Sequence, residues 1–242
     1  MFQLKVLLMI PAYNEEDNIE RVVEGVREFA AGQKPYQLDY IVINDGSVDA
    51  TERICREKRF RTIHLIQNLG IGGAIQTGYM FAKIKGYDIA VQFDGDGQHD
   101  IACLDKLLEP VMNGECDFTV GSRFLDGSSG FRSTALRRFG IRFLSMIIRI
   151  FTGTRVTDPT SGFRAANKQA IAFLSRNYPV DYPEPESIVE LSKHSFRLRE
   201  VQVNMFERAG GTSSISAWKS VYYMFKVSLA IVCTSFQRKV KS

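Results

Sequence analysis

The chain has 242 residues, 45% of them hydrophobic and 24% charged, with a formal net charge of +4. Those proportions exclude a disordered or fibrous chain and leave room for one large α/β domain or two small ones. Cys55, Cys103, Cys116 and Cys233 are scattered, with neither metal-ligand spacing nor a disulfide framework, which points to a reduced, cytosolic setting.

Met1 to Lys5 runs straight into an apolar strand, so no signal peptide is expected. No apolar stretch approaches the ~20 residues that span a bilayer; the longest, Val227 to Phe236, is too short. Val6 to Ile10 predicts a first strand, stopping where Pro11 cannot donate to a ladder. Asp17 or Asn18 then caps a helix with Ile19, Val22, Val23, Val26 and Phe29 at helical spacing. Tyr40 to Ile43 predicts a second strand, after which Ser47 or Asp49 caps a helix through Ile54. Ile63 to Ile66 predicts a third, followed by Asn68-Leu69-Gly70-Ile71-Gly72-Gly73 and a helix to about Lys85. Ile89 to Phe93 predicts the fourth. Such alternation implies right-handed βαβ units and a parallel sheet covered on both faces. All four strands end in polar or glycine-rich residues, and ligands gather at that edge.

Beyond Asp100 the pattern loosens. Leu104 to Met112 reads as a helix, Phe118 to Val120 as a short strand ending in Gly121-Ser122-Arg123, and Asp126 to Gly130 as a mobile loop. Arg137 to Phe151 predicts an amphipathic helix, with Phe139, Phe143, Met146, Ile147 and Ile150 opposite its arginines. The turn-rich Asp158-Pro159-Thr160-Ser161-Gly162-Phe163-Arg164 leads into a helix near Lys168 to Leu174. Pro183-Glu184-Pro185-Glu186 opens another helix, and Leu198 to Val203 alternates like a strand. Residues 1–210 read as one domain and 211–242 as an amphipathic C-terminal appendage.

The chemistry concentrates at Phe93-Asp94-Gly95-Asp96-Gly97-Gln98-His99-Asp100. Asp94 and Asp96 lie two apart, so an extended segment projects both carboxylates to one side. With Gly95 and Gly97 leaving the backbone room, the pair suits a hard divalent cation that also holds phosphate oxygens. For an isolated Asp-Gly-Asp a plain turn is the better account, and it is the accompanying motifs that favour the metal site. His99 is a hydrogen-bonding residue or touches the metal or diphosphate; His64 lacks metal-like partners, and His194 reads as surface.

This motif keeps company with Pro11-Ala12-Tyr13-Asn14-Glu15, Asp45-Gly46-Ser47 with Asp49 and Thr51, Asn68-Gly70-Gly72, and Ser161-Gly162-Phe163-Arg164. The five motifs, in this order over roughly residues 4 to 208, resemble glycosyltransferase family 2, and within it the dolichol- or polyprenyl-phosphate sugar synthases. The resemblance implies a GT-A fold: Rossmann-like α/β, a mostly parallel sheet with helices on both faces. It also implies inverting transfer of a hexose from a nucleotide-diphosphate sugar, UDP favoured over GDP, to a polyprenyl-phosphate-type lipid. Carried over position by position, Pro11, Tyr13 and Glu15 line the base and ribose, and Asp45 contacts one of them. Gly72 and Gly95 border the donor, Gln98 lies near the sugar, and Asp94 and Asp96 hold Mg²⁺ or Mn²⁺ on the diphosphate. Arg123, Arg132, Arg137, Arg138 and Arg164 approach donor and acceptor phosphates.

A lipid phosphate is already ionised, whereas a hydroxyl acceptor needs a general base. Relatives with hydroxyl acceptors carry a Glu-Asp pair after the Ser-Gly-Phe-Arg turn; this chain offers Glu184 and Glu186 there, with Asp158 the other candidate. All three also suit bland roles, as a turn former or as first-turn acids on a helix dipole. The runner-up activity is therefore sugar addition to a lipid-linked cell-surface polysaccharide.

Between Gly127 and Thr157 lie six arginines and no acid, and after Glu207 six more basic residues and no acid. With Trp218, Tyr222, Tyr223 and Phe225 among lysines, this describes helices in a membrane interface, at the inner face of the cell membrane, or an oligomer contact. A nucleic-acid partner is excluded, because the aromatics sit at apolar positions and do not punctuate a basic groove. A sugar-nucleotide-binding protein without transfer activity, or a nucleotidyltransferase, is the reading from another class. The latter lacks its glycine-rich basic loop after the first strand.

Overall fold

The protein, seen in a computed structural model, is described over residues 3–125, 135–206 and 217–236; side chains of 135–137 and 217–225 fall outside that description. The expected loop at 126–130 and Arg132 therefore lie outside the described residues, as does the Arg137 side chain.

Seven strands form one sheet in the order β3 (Thr62–His64), β2 (Tyr36–Asn44), β1 (Leu4–Ala12), β4 (Ile89–Gln92), β6 (Arg164–Asn167), β5 (Phe118–Ser122), β7 (Leu198–Gln202). Only β6 runs against its neighbours, pairing antiparallel with β4 and β5. Val6, Leu7, Leu8, Met9 and Ile10 are all fully buried, each such side chain contributing about 1.5–3 kcal/mol. Their alternation is hidden in sequence because both faces are covered. Leu7 and Met9 join a core with α3 (Gly70–Lys85), α5 (Ala135–Thr152), α6 (Lys168–Asn177), α7 (Pro183–Lys193) and α8 (Ala217–Phe236). Val6, Leu8 and Ile10 join the opposite core, with α1 (Ile19–Ala31), α2 (Thr51–Glu57) and α4 (Leu104–Met112).

Three expectations change. Pairing does not stop at Pro11: β1 stays in register with β2 through Pro11↔Ile43 and Ala12↔Asn44. The missing N–H faces β4, whose ladder with β1 ends at Met9↔Gln92, so proline costs no bond. The turn-rich 158–164 segment opens directly into a strand, β6, whose reversed direction brings that turn to the same edge as the ends of β1, β2, β4 and β5. α8 packs on its own domain, burying Val227 and Ile231 against α5 and α7. Among the described residues no helix is long and apolar enough to cross a membrane.

Candidate active site

The loops after β1 and β2 are laced together. Asn14, at φ 55°, donates its N–H to Ser47 Oγ (3.0 Å) and accepts from Val48 N–H at Oδ1 (2.9 Å). Glu16 N–H donates to Asp49 Oδ2 (3.1 Å), and Ala50 N–H returns a bond to Glu16 Oε2 (2.9 Å). Of the predicted caps, Asp49 Oδ1 accepts from Thr51 N–H at the start of α2 (2.9 Å), while α1 has no side-chain cap. Asn18 occupies the α1 N-cap but gives its amide to Glu15 Oε2 (2.9 Å), and Ala50 occupies the α2 N-cap. Glu15 is buried, its N–H on Thr51 Oγ1 (2.9 Å), while Tyr13 stands out at 47% exposure.

Asp45, 3% exposed, accepts from Leu69 N–H (2.7 Å) and from the Gly70 amide, clamping the start of α3; burial raises its carboxyl above the usual range. Gly72 is set by a close backbone approach. A Cβ there would lie 2.4 Å from Val180 O and 2.5 Å from Pro179 O, so this glycine lets two backbones touch.

Asp94 and Asp96 follow β4 at the C-terminal edge. Asp94 N–H donates to Nδ1 of His99 (3.0 Å), and His99 Nε2 stands 3.4 Å from Asp94 Oδ2. An amide can only donate, so Nδ1 carries the lone pair. Burial holds the imidazole below its ordinary pKa, hence neutral with its proton on Nε2. His99 stacks on Phe163 (5.0 Å) and meets Phe93 edge-on (5.5 Å). Asp96 Oδ1 accepts from Gln98 N–H (3.0 Å). Gly95 allows Pro11 O to approach, a Cβ there falling 2.8 Å from it. At Gly162 a Cβ would lie 2.5 Å from Asp94 Oδ2, so the Ser-Gly-Phe-Arg turn leaves the carboxylate its space. No group of three or more His, Cys, Asp or Glu side chains poised for a metal occurs among the described residues. Two carboxylate donors fit Mg²⁺ or Mn²⁺, which use one or two protein carboxylates and complete their shell with water and substrate phosphates.

Four expected site residues, Asp158, Arg123, Arg164 and Glu186, are occupied elsewhere. Asp158 is fully buried, both oxygens taken by Arg123 (Nε–Oδ2 2.6 Å, Nη2–Oδ1 2.7 Å). Glu200 of β7 fixes the same turn, accepting from Thr157 N–H (2.7 Å) and Asp158 N–H (2.9 Å). A carboxylate locked in a bidentate ion pair is a scaffold, not a base. Arg164, fully buried, donates to Ser161 O (2.6 Å), Pro159 O (2.9 Å), Glu184 O (2.7 Å) and Ser187 Oγ (2.7 Å). It staples the turn to the start of α7 and leaves phosphate to others. Glu186 turns away from the cleft and accepts from Thr234 Oγ1 of α8 (3.2 Å).

Glu184 remains in the cleft. Burial and the neighbouring Asp94 charge raise its carboxyl above the usual range, against the lowering pull of Arg164 and of the nearby Gln92 amide. Arg138 is exposed on α5 beside a cavity of about 290 Å³ that it lines with Phe124, Ile141, Arg142 and Val156. A larger cavity, about 530 Å³, opens among Lys5, Asp39, Arg61, Lys85 and Tyr87, at the other end of the strands and away from the acids. His194 is no surface residue: its Nδ1 bonds Glu190 O (2.8 Å) and its ring packs 4.5 Å from Phe173. Sequence reasoning passed over Gln92, whose signal was a lone amide breaking the apolar run Ile89–Phe93.

A mostly parallel seven-stranded sheet with one reversed strand, and paired aspartates at its C-terminal edge, defines an α/β protein of the GT-A type. The chain belongs to glycosyl transferase family 2, whose family model matches residues 8–174. It is similar to the UDP-N-acetylglucosamine–dolichyl-phosphate N-acetylglucosaminyltransferase of Methanococcus voltae, at 30% identity over 94% of this chain and 97% of the relative. It is 28% identical to the polyprenol monophosphomannose synthase of Mycolicibacterium smegmatis, over 93% and 86% of the two chains. In fold it resembles Mycobacterium tuberculosis glucosyl-3-phosphoglycerate synthase in complex with Mn²⁺, UDP and glucosyl-3-phosphoglycerate. The TM-score is 0.70 at 18% identity, over 96% of this chain and 80% of that one.

Proposed function

We propose that the protein transfers a hexose from a nucleotide-diphosphate sugar, UDP-linked in preference to GDP-linked, to a polyprenyl phosphate at a membrane surface, with inversion at the anomeric carbon. The observation that carries this reading is the Asp94–Asp96 pair at the sheet edge, with Gly162 leaving room for the first carboxylate. Relatives named for dolichyl and polyprenol phosphates favour the acceptor class.

In this reading Asp94 and Asp96 hold Mg²⁺ or Mn²⁺, which when bound offsets the charge of the departing diphosphate as a Lewis acid. The laced β1 and β2 loops, with Tyr13 exposed and Asp45 clamping the start of α3, form the wall for base and ribose. His99 accepts the Asp94 N–H at Nδ1 and holds that stretch of backbone in place. Inversion needs the nucleophile held in line on the far face of the sugar. Arg138, exposed beside a cavity with apolar walls, supplies charge for an acceptor phosphate whose chain is hydrocarbon. A second reading, transfer to a hydroxyl of a lipid-linked glycan, is favoured by one observation: Glu184, held near Asp94 with a raised proton affinity, suits a general base.

Thermal scanning against UDP and GDP, with and without Mn²⁺, tests the donor half. Uridine diphosphate with Mn²⁺ should stabilise most, by about 2.7 kcal/mol when present at a hundred times its Kd. Asp96→Ala should lose the Mn²⁺-dependent part and abolish transfer of labelled sugar into an organic-phase lipid. Full transfer by that variant with divalent ions chelated would remove the reading.

A further inference from the structure

Gln92 is the last residue of β4 and 1% exposed, set between Met9 of β1 and Arg164 of β6. Its Oε1 accepts from the Tyr178 hydroxyl (3.2 Å), which directs Nε2 toward Asp94 Oδ1 (3.3 Å). The same amide lowers the proton affinity of the neighbouring Glu184 carboxylate. One buried side chain thus reaches two acids on different elements, one at the end of β4 and one in the first turn of α7. Tyr178 is 4% exposed, its ring 5.4 Å from that of Tyr79. Gly162 completes the fit: a Cβ there would fall 3.0 Å from Gln92 Nε2 as well as against Asp94.

Resting on the assignment of Asp94 to the cation and diphosphate, we propose that Gln92, its amide held in one orientation by Tyr178, is a positioning residue that sets the aim and separation of the Asp94 and Glu184 carboxylates. Two neighbouring carboxylates repel, and a buried amide that donates to Asp94 and favours the ionised form of Glu184 offsets the repulsion. Reversed, the amide would turn its oxygen on the Asp94 carboxylate, which can only accept; the Tyr178 hydroxyl, donating to Oε1, secures the orientation that Asp94 requires. Gln92 touches no substrate in this arrangement; it acts through Asp94.

The test is calorimetric titration of Mn²⁺ into the full chain in saturating uridine diphosphate, with melting temperatures measured alongside. Gln92→Leu should weaken Mn²⁺ affinity by roughly 10- to 100-fold, the range for residues that orient metal ligands. Tyr178→Phe, which keeps the ring and removes only the hydroxyl, should weaken it less, and the double variant should bind like Gln92→Leu alone, because Tyr178 acts through the amide. If Gln92→Leu fails to fold, Tyr178→Phe decides. Wild-type affinity in Tyr178→Phe and Gln92→Leu, while the parent binds Mn²⁺ with the nucleotide, overturns this inference alone. No Mn²⁺ binding by the parent overturns the functional reading as well.

Discussion

Glu184 sits where a carboxylate is costly to ionise, since burial and the Asp94 charge both favour its protonated form. A carboxyl that takes up its proton more readily folded than unfolded contributes stability in full below the unfolded pKa of about 4.3. That contribution is lost as pH rises through the higher folded value. Glu184→Gln cannot ionise, so its melting temperature should exceed the parent's at pH 7.5, and the gap should close as the pH falls toward 4. The kinetic consequence separates the two acceptors. With a hydroxyl acceptor the variant should lose about 10²- to 10⁴-fold in turnover, the usual worth of a general base. With a lipid phosphate it should keep most of its rate. Stability gained and activity lost in one substitution would mark Glu184 as functional.

At the level of elements, the turn joining α5 to β6 is held by a buried ion pair, Arg123 with Asp158, at 5% and 0% side-chain exposure. Breaking such a pair from one side costs about 3–5 kcal/mol, because the remaining charge is buried alone. Asp158→Asn should therefore show a large drop in the denaturant midpoint. The joint replacement Arg123→Met with Asp158→Leu should cost less than either single change. A stable Asp158→Asn with abolished turnover would return Asp158 to the list of bases.

The same turn shows what the sequence hid. The first four strands are legible because long apolar runs end in polar loops at one edge, and Asp94 and Asp96 with them. Arg164-Ala165-Ala166-Asn167 carries no β-branched or aromatic residue, and is a strand only because β4 and β5 pair with it on both sides. Missing β6 also concealed the roles of Asp158 and Arg164, since both charges are satisfied by backbone and partners distant in sequence. Glu184 and Glu186 are two residues apart and look equivalent on paper, yet helical spacing sends one toward Asp94 and the other to Thr234 of α8. Only α8, folded back on its own domain, distinguishes them.

At the scale of the whole molecule, exposed apolar side chains and unbalanced positive charge coincide on α5 among the described residues. On α5, Phe139, Phe143, Met146 and Ile150 recur at helical spacing and are exposed, while Leu144 and Ile148 on its other side are buried. Arg138, Arg142 and Arg149, also exposed, flank the stripe. Phe151 of α5 meets Phe236 of α8 at 5.9 Å, and Leu229 and Phe236 carry the apolar surface onto the second helix. A soluble partner would satisfy the apolar stripe, but arginines without intervening acids complement an anionic bilayer, whose surface attracts each basic residue by about 1 kcal/mol. Three arginines then give about 3 kcal/mol, so affinity for vesicles containing anionic lipid should exceed that for neutral vesicles by roughly 100-fold. The difference should shrink as salt rises toward 1 M, where screening reaches within about 3 Å. Phe139→Glu and Ile150→Glu, both at exposed positions, should weaken binding to anionic vesicles while leaving the melting temperature near the parent's. Equal binding to both vesicle types would deny the arginines that role. No binding to either, with a dimer in solution that Phe139→Glu dissociates, would assign the stripe to a second copy of the chain.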